Sequence, residues 1–108
     1  MLYFNILKLI DDIMEILQKH EVTNWYQIFS DNKARLLMAI NSKSNHWILE
    51  QFTAILDMYG GMGSFSDLFI CEQAGYKISP KDVKRVNEKI NKLREKLYVS
   101  LKAETSKL

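Results

Sequence analysis

Apolar residues recur along this chain at intervals of three and four, the spacing of one helical face. Over residues 2–20 the apolar positions Leu2, Phe4, Ile6, Leu7, Leu9, Ile10, Ile13, Met14, Ile16 and Leu17 cover a wide arc. Lys8, Asp11, Asp12, Glu15, Gln18 and Lys19 lie opposite. An arc that wide predicts a central helix contacted by more than one neighbour. Glu21-Val22 reads as a break, and Thr23 or Asn24 can cap the next helix. Trp25, Ile28 and Phe29 resume the period, Ser30-Asp31-Asn32 interrupts it, and Leu36, Leu37, Met38 and Ile40 take it up again. That pattern fits one kinked helix or two short ones over residues 25–41. A polar loop occupies 41–45, and Ser44 or Asn45 should cap a third helix. Its face is Trp47, Ile48, Phe52, Ile55, Leu56 and Tyr59.

The last helix has the clearest start. Ser79 stands as N-cap and Pro80 at the first helical position, where its missing N–H costs nothing. Asp82 suits the positive end of the helix dipole. Val83, Val86, Ile90, Leu93, Leu97 and Leu101 then step by three or four, a narrow seam on an otherwise charged helix. Such a seam serves either packing on the chain's own core or pairing with another protein.

Between these helices lies Tyr59-Gly60-Gly61-Met62-Gly63-Ser64-Phe65-Ser66-Asp67-Leu68, with three of the chain's four glycines. Gly60 or Gly61 falls where a left-handed residue closes a helix. Ser64 with Asp67 three residues on resembles a capping box, with Asp in place of Glu or Gln. The backbone N–H groups from Gly61 to Phe65 would also suit an anion, but no Lys-Ser or Lys-Thr comes after them, so this is not a P-loop. Phe65, Leu68, Phe69, Ile70 and Cys71 read as a short helix or a buried strand. The Ser64 cap favours the helix, ended by Gly75-Tyr76-Lys77.

The run Gly-Gly-Met-Gly-Ser-Phe-Ser-Asp-Leu resembles the signature of a family of small uncharacterised bacterial proteins with a G-G-M-G-S-[FL]-x-D-L core. The likeness covers about ten residues, Tyr59 to Leu68. It implies no enzymatic chemistry and carries over no catalytic residue. Small proteins of this kind are often immunity partners of secreted toxins, so the resemblance implies an interaction role.

Composition bounds the rest. At 108 residues the chain is one helical domain over 1–108 that can bury a core without metal or disulfide. One cysteine excludes an internal disulfide framework. Charges within the N-terminal apolar stretch exclude a membrane span there, and no signal-peptide pattern is present, so the expected location is cytoplasmic. The net charge of +2 is unevenly placed: residues 1–76 hold five Lys/Arg against nine Asp/Glu, and residues 77–108 ten against four.

Candidate chemistry is sparse. Asp11 and Glu15, one helical turn apart, could divide acid and base roles only if burial split them, and a solvated face is the ordinary reading. His20, His46 and Cys71 show no zinc spacing, and Cys71 lies in an apolar run typical of a structural thiol. No catalytic, metal or cofactor residue is assigned. The expected fold is all-α, a compact bundle of four to six helices with a long C-terminal helix. The expected function is protein binding, as an immunity-type protein that occludes a toxin, monomeric or homodimeric. Asp11, Asp12, Glu15 and Glu21 would face a basic groove, and Trp47 and Tyr76 would serve as aromatic anchors. The loop residues Gly60, Gly61, Met62, Gly63, Ser64 and Asp67 form the family-specific element. The alternative is a nucleic-acid-associated regulator using Lys81, Lys84, Arg85, Lys89, Lys92 and Lys96 of the last helix, although Asp82, Glu88 and Glu95 intersperse them.

Overall fold

The computed structural model describes residues 3–108, so Leu2 of the first predicted helix lies outside the described residues. Four α-helices form: α1 (Phe4–Lys19), α2 (Thr23–Ser42), α3 (Asn45–Asp57) and α4 (Val83–Thr105). The described residues contain no strand. The molecule is elongated, 44 × 23 × 20 Å. Each helix packs on two others in the cyclic order α1, α2, α3, α4 and back to α1. The all-α expectation holds, with four helices and the longest at the C-terminus.

α1 is the most deeply embedded helix, as its wide apolar arc predicts. Ile6, Leu7, Leu9, Ile10, Ile13, Ile16 and Leu17 are all buried. Glu21, in the left-handed region at φ 55°, makes the sharp turn into α2.

α2 is one continuous helix. The polar interruption at 30–32 does not break it, because Asn32 is satisfied within the helix. Its Nδ2 donates to the Ile28 carbonyl at 2.8 Å and its Oδ1 accepts from Arg35 at 3.0 Å. The ordinary tendency of Asn to compete with helical bonds is thereby absorbed. Ser44 caps α3, accepting from the Trp47 N–H at 3.2 Å.

Three details differ from expectation. α3 ends at Asp57 with Met58 in right-handed geometry, and Gly60 is not left-handed; Gly61 and Gly63 are, at φ 85° and 74°. The last helix is preceded by a 3₁₀ turn, Pro80–Asp82, in which Ser79 contributes its carbonyl, bonded to the Asp82 N–H at 2.9 Å, and no side-chain cap. Residues 65–71 form neither an α-helix nor a strand. One 3₁₀ turn, Phe65–Asp67, leads into extended backbone.

That extended chain completes the bundle. α3, at 13 residues, is much shorter than α2 and α4, at 20 and 23. The strap at 65–78 continues the wall that α3 leaves unfinished. It runs antiparallel to α4, with Phe65 beside Arg94, Ile70 beside Asn87, and Lys77 beside His20 at the end of α1. Phe65, Leu68, Ile70 and Ile78 enter the same buried core as the helices.

Candidate functional site

The strap bonds to itself only at its two 3₁₀ turns, Phe65–Asp67 and Glu72–Ala74, and the extended backbone around Ile70 needs partners elsewhere for its N–H and C=O groups. α4 supplies them from two side chains seven residues apart. Asn87 accepts from the Ile70 N–H through Oδ1 and donates through Nδ2 to the Ile70 carbonyl, both at 2.8 Å. It thus replaces a neighbouring strand at one residue. Arg94 donates through Nη1 to the carbonyls of Phe65 (2.5 Å) and Leu68 (3.0 Å), and through Nη2 to Asn91. Both clamp side chains are buried, and no buried side-chain nitrogen or oxygen among the described residues lacks a partner.

Among the described residues Arg94 has no carboxylate in salt-bridge range. Burial lowers its pKa, and the nearby Tyr59 and Asp67 partly offset this. Carbonyl oxygens hold the charge, and the guanidinium lies 5.3 Å from the centre of the Phe65 ring. Tyr59 completes the arrangement by donating to the Arg94 backbone carbonyl at 2.8 Å. Burial raises the pKa of its phenol well above the usual tyrosine range, with Arg94 acting weakly the other way.

Phe65 anchors the strap's start. It is fully buried and contacts the rings of Phe29, Trp25 and Tyr59 at 4.7, 5.3 and 5.8 Å between centroids. At the far end, the buried His20 ring bonds the Lys77 carbonyl through Nδ1 at 2.8 Å, and the Lys77 N–H returns to the His20 carbonyl at 3.0 Å. Because a carbonyl only accepts, Nδ1 carries the proton.

The glycine loop is closed from within. Asp67 accepts from the Gly63 N–H at 2.9 Å, and the Phe65 N–H goes to the Met58 carbonyl at 2.8 Å. The anion favoured by these N–H groups is therefore the chain's own carboxylate. The capping box survives only as its return half, shifted by one residue: Ser64 makes no cap bond and its hydroxyl points to the Tyr59 carbonyl.

The strap shows a distinct outer face. Leu68 and Ile70 point inward, and Phe69 between them is 55% exposed. Met62, at the tip of the glycine loop, is fully exposed, and Trp47 on α3 is 47% exposed. Between Lys43 and Lys77 the sequence has no Lys or Arg but four acids, Glu50, Asp57, Asp67 and Glu72, all exposed. α3, the loop and the strap as far as Lys77 thus make a wall that carries acids and no bases, with protruding apolar side chains; of its acids, Asp67 is already engaged by the Gly63 N–H.

The other predicted residues are dispersed. Asp11 is tied to Lys33 of α2 at 2.6 Å, and Asp12 to Lys8 at 2.7 Å on the α4 side of α1. Glu15 and Glu21 are exposed, and Tyr76 packs half-buried against the core. Of the four acids of residues 11–21, Asp12 and Glu15 line one depression between α1 and α4, while Asp11 is turned to α2. Asn87 and Arg94 were absent from the sequence expectation. Their signal is the heptad separation on α4, where polar residues take positions in register with Val83, Ile90, Leu97 and Leu101.

These features define an all-α domain whose distinguishing element is a clamped strap without α-helix that carries a surface, and among the described residues no group of three or more His, Cys, Asp or Glu side chains is placed to hold a metal ion. Residues 18–79 match a family model described as a domain of unknown function (DUF6966), and the chain belongs to that family. The match contains α2, α3, the glycine loop and the strap; most of α1 and all of α4 lie outside it. No curated protein and no solved structure matches the chain. Among the described residues no helix is long and apolar enough to cross a membrane.

Proposed function

We propose that the protein is a protein-binding module whose recognition surface is the outer face of α3, the glycine loop and the strap. One observation carries this reading: Phe69 is held outward on backbone that is pinned at both neighbouring residues, by Arg94 at Leu68 and by Asn87 at Ile70. An exposed aromatic on a rigid backbone loses little freedom on binding, which is what an interface anchor requires. The acids of the wall suit a partner with a cationic surface, and Met62 and Trp47 supply further apolar contact.

The finer reading is an immunity-type protein that blocks a toxin by covering its basic active-site groove. It is supported by the small rigid scaffold, the anionic wall and the loop signature. The matching family region holds this wall and not the basic helix, which favours a protein partner over nucleic acid.

The test is a pull-down from the native host with tagged protein, in nuclease-treated and untreated arms. One stoichiometric protein partner that survives nuclease is expected, and it should be lost from the Phe69→Lys variant. Co-expression should then relieve any toxicity of that partner. Recovery of nucleic acid alone, abolished by nuclease, would overturn the reading in favour of the alternative regulator.

A further inference from the structure

A second surface lies between α1 and α4 and meets the strap only at its His20 end. The two helices run antiparallel and leave a groove of about 670 Å³ on their outer side, floored by Leu9, Leu93 and Val99. Smaller depressions continue it in both directions. One shares Asp12 and reaches Arg85 and His20; the other shares Asn5 and Ser100 and reaches Phe4 and Glu104. Along α4 the groove spans Arg85 to Glu104, about 28 Å at helical rise. Val99 and Phe4 stand 59% and 62% exposed along it.

The rims are mainly cationic. Lys8 and Asp12 neutralise one another at 2.7 Å, and Arg85 is engaged by Asp82 at 3.2 Å. Lys19, Lys89, Lys92 and Lys96 remain against Glu15 and Glu95, with no salt bridge to any of these six among the described residues.

We propose that this groove binds an amphipathic helix of a partner protein, about five turns long, with carboxylates flanking its apolar stripe. Its length matches the furrow, its apolar stripe covers Leu9, Leu93 and Val99, and its acids meet the α4 lysines. This is the helix-in-groove mode of recognition. The other occupants fit worse. A second copy seated groove to groove would set lysine rims against lysine rims. A nucleic-acid backbone would leave the apolar floor of Leu9, Leu93 and Val99 without a partner, and the exposed Phe4 ring stands at the end of the furrow, away from Lys92 and Lys96, where it does not give the series of rings that base stacking uses.

The probe is a fluorescein-labelled 20-residue helical peptide with leucines at i, i+3, i+4 and i+7 and glutamates on the flanks. Its counterpart has lysines in place of the glutamates. Anisotropy titrations on the full chain should show saturable binding of the glutamate peptide and at least tenfold weaker binding of the lysine peptide. Val99→Asp and the double variant Lys92→Glu/Lys96→Glu should each weaken the glutamate peptide at least tenfold. All three positions are exposed, and an unchanged thermal melt will verify the fold. Phe69→Lys should leave this binding intact, so failure here is separable from failure of the strap reading. No saturable binding up to millimolar peptide would overturn the proposal. So would equal binding of both peptides, or full binding by Val99→Asp. A concentration-dependent dimer abolished by Val99→Asp would assign the groove to a second copy instead.

Discussion

Asn87 holds Ile70 by both backbone groups at once, its carboxamide oxygen taking the N–H and its nitrogen giving to the carbonyl, each at 2.8 Å. A third bond, to the Val83 carbonyl at 2.8 Å, fixes the side chain's orientation on its own helix. The consequence is that an extended segment without a strand partner behaves as if it had one.

Replacing Asn87 by Ala should therefore unpair two buried backbone groups. At about 1–3 kcal/mol for an unsatisfied buried group, a loss of about 3 kcal/mol is expected in urea denaturation. Asn87→Asp keeps the acceptor but turns a carboxylate oxygen toward the Ile70 carbonyl, so it should be no milder. Amide exchange at residues 68–71 should accelerate in both variants, more than in α1 or α2. An effect under about 0.5 kcal/mol would refute the clamp.

Arg94 makes the second fixed point, and its geometry makes Lys a poor substitute. The planar guanidinium reaches Phe65, Leu68 and Asn91 together, which a single ammonium does not reproduce. Arg94→Lys should cost about 1–2 kcal/mol and Arg94→Met about 2–3 kcal/mol. Combined with Asn87→Ala, the Met substitution should cost less than it does alone, because both release the same strap. A coupling of about 0.5 kcal/mol or more in a double-mutant cycle is the expected reading, and strict additivity would separate the two sites.

The helices were legible in the sequence because their evidence is periodic and local. The Ser44 cap, the break at Glu21 and the end of the C-terminal seam all rest on neighbours within a turn or two. The strap was not legible for the opposite reason. Phe65, Leu68 and Ile70 are apolar at spacings that suit a helix or a strand, and their backbone partners lie 17 to 29 residues further on. The same non-locality hid Arg94. A long cationic side chain on a lysine-rich helix reads as solvated, and only the carbonyls of a distant loop draw it inward. The acids of residues 11–21 divide between two sides of α1 in a way their spacing did not reveal: Asp11 pairs with Lys33 of α2, whereas Asp12 pairs with Lys8 of its own helix and shares a depression beside α4 with Glu15.

The glycines of the loop should separate by backbone geometry alone. None of Gly60, Gly61 and Gly63 has an atom within 4 Å of the place a Cβ would take, so packing does not distinguish them. Gly61 and Gly63 lie in the left-handed region, and an Ala there should cost about 1 kcal/mol. Gly60 does not, and Gly60→Ala should be neutral or stabilising by up to about 0.5–1 kcal/mol through the unfolded chain. Thermal melts of the three variants test this, and equal losses at all three would contradict it.

Tyr59 should make the fold sensitive to alkaline pH. Burial raises the phenol's pKa in the folded state above the value of about 10 it has when unfolded. Below pH 10 both states keep the proton and stability does not change on this account. Above it the unfolded chain releases the proton while the folded one retains it, so the unfolded state binds fewer protons and stability falls as pH rises. The slope contributed by one such group is at most about 1.4 kcal/mol per pH unit. Tyr59→Phe should remove that slope while losing the bond to the Arg94 carbonyl, about 1 kcal/mol near neutral pH. The advantage of wild type over the variant should therefore fall through zero and change sign between pH 10 and 11.5, since a loss of up to about 2 kcal/mol over that range exceeds the bond's about 1 kcal/mol, read by urea denaturation at each pH. A difference that stays constant across this range would mean that Tyr59 ionises as an ordinary exposed phenol.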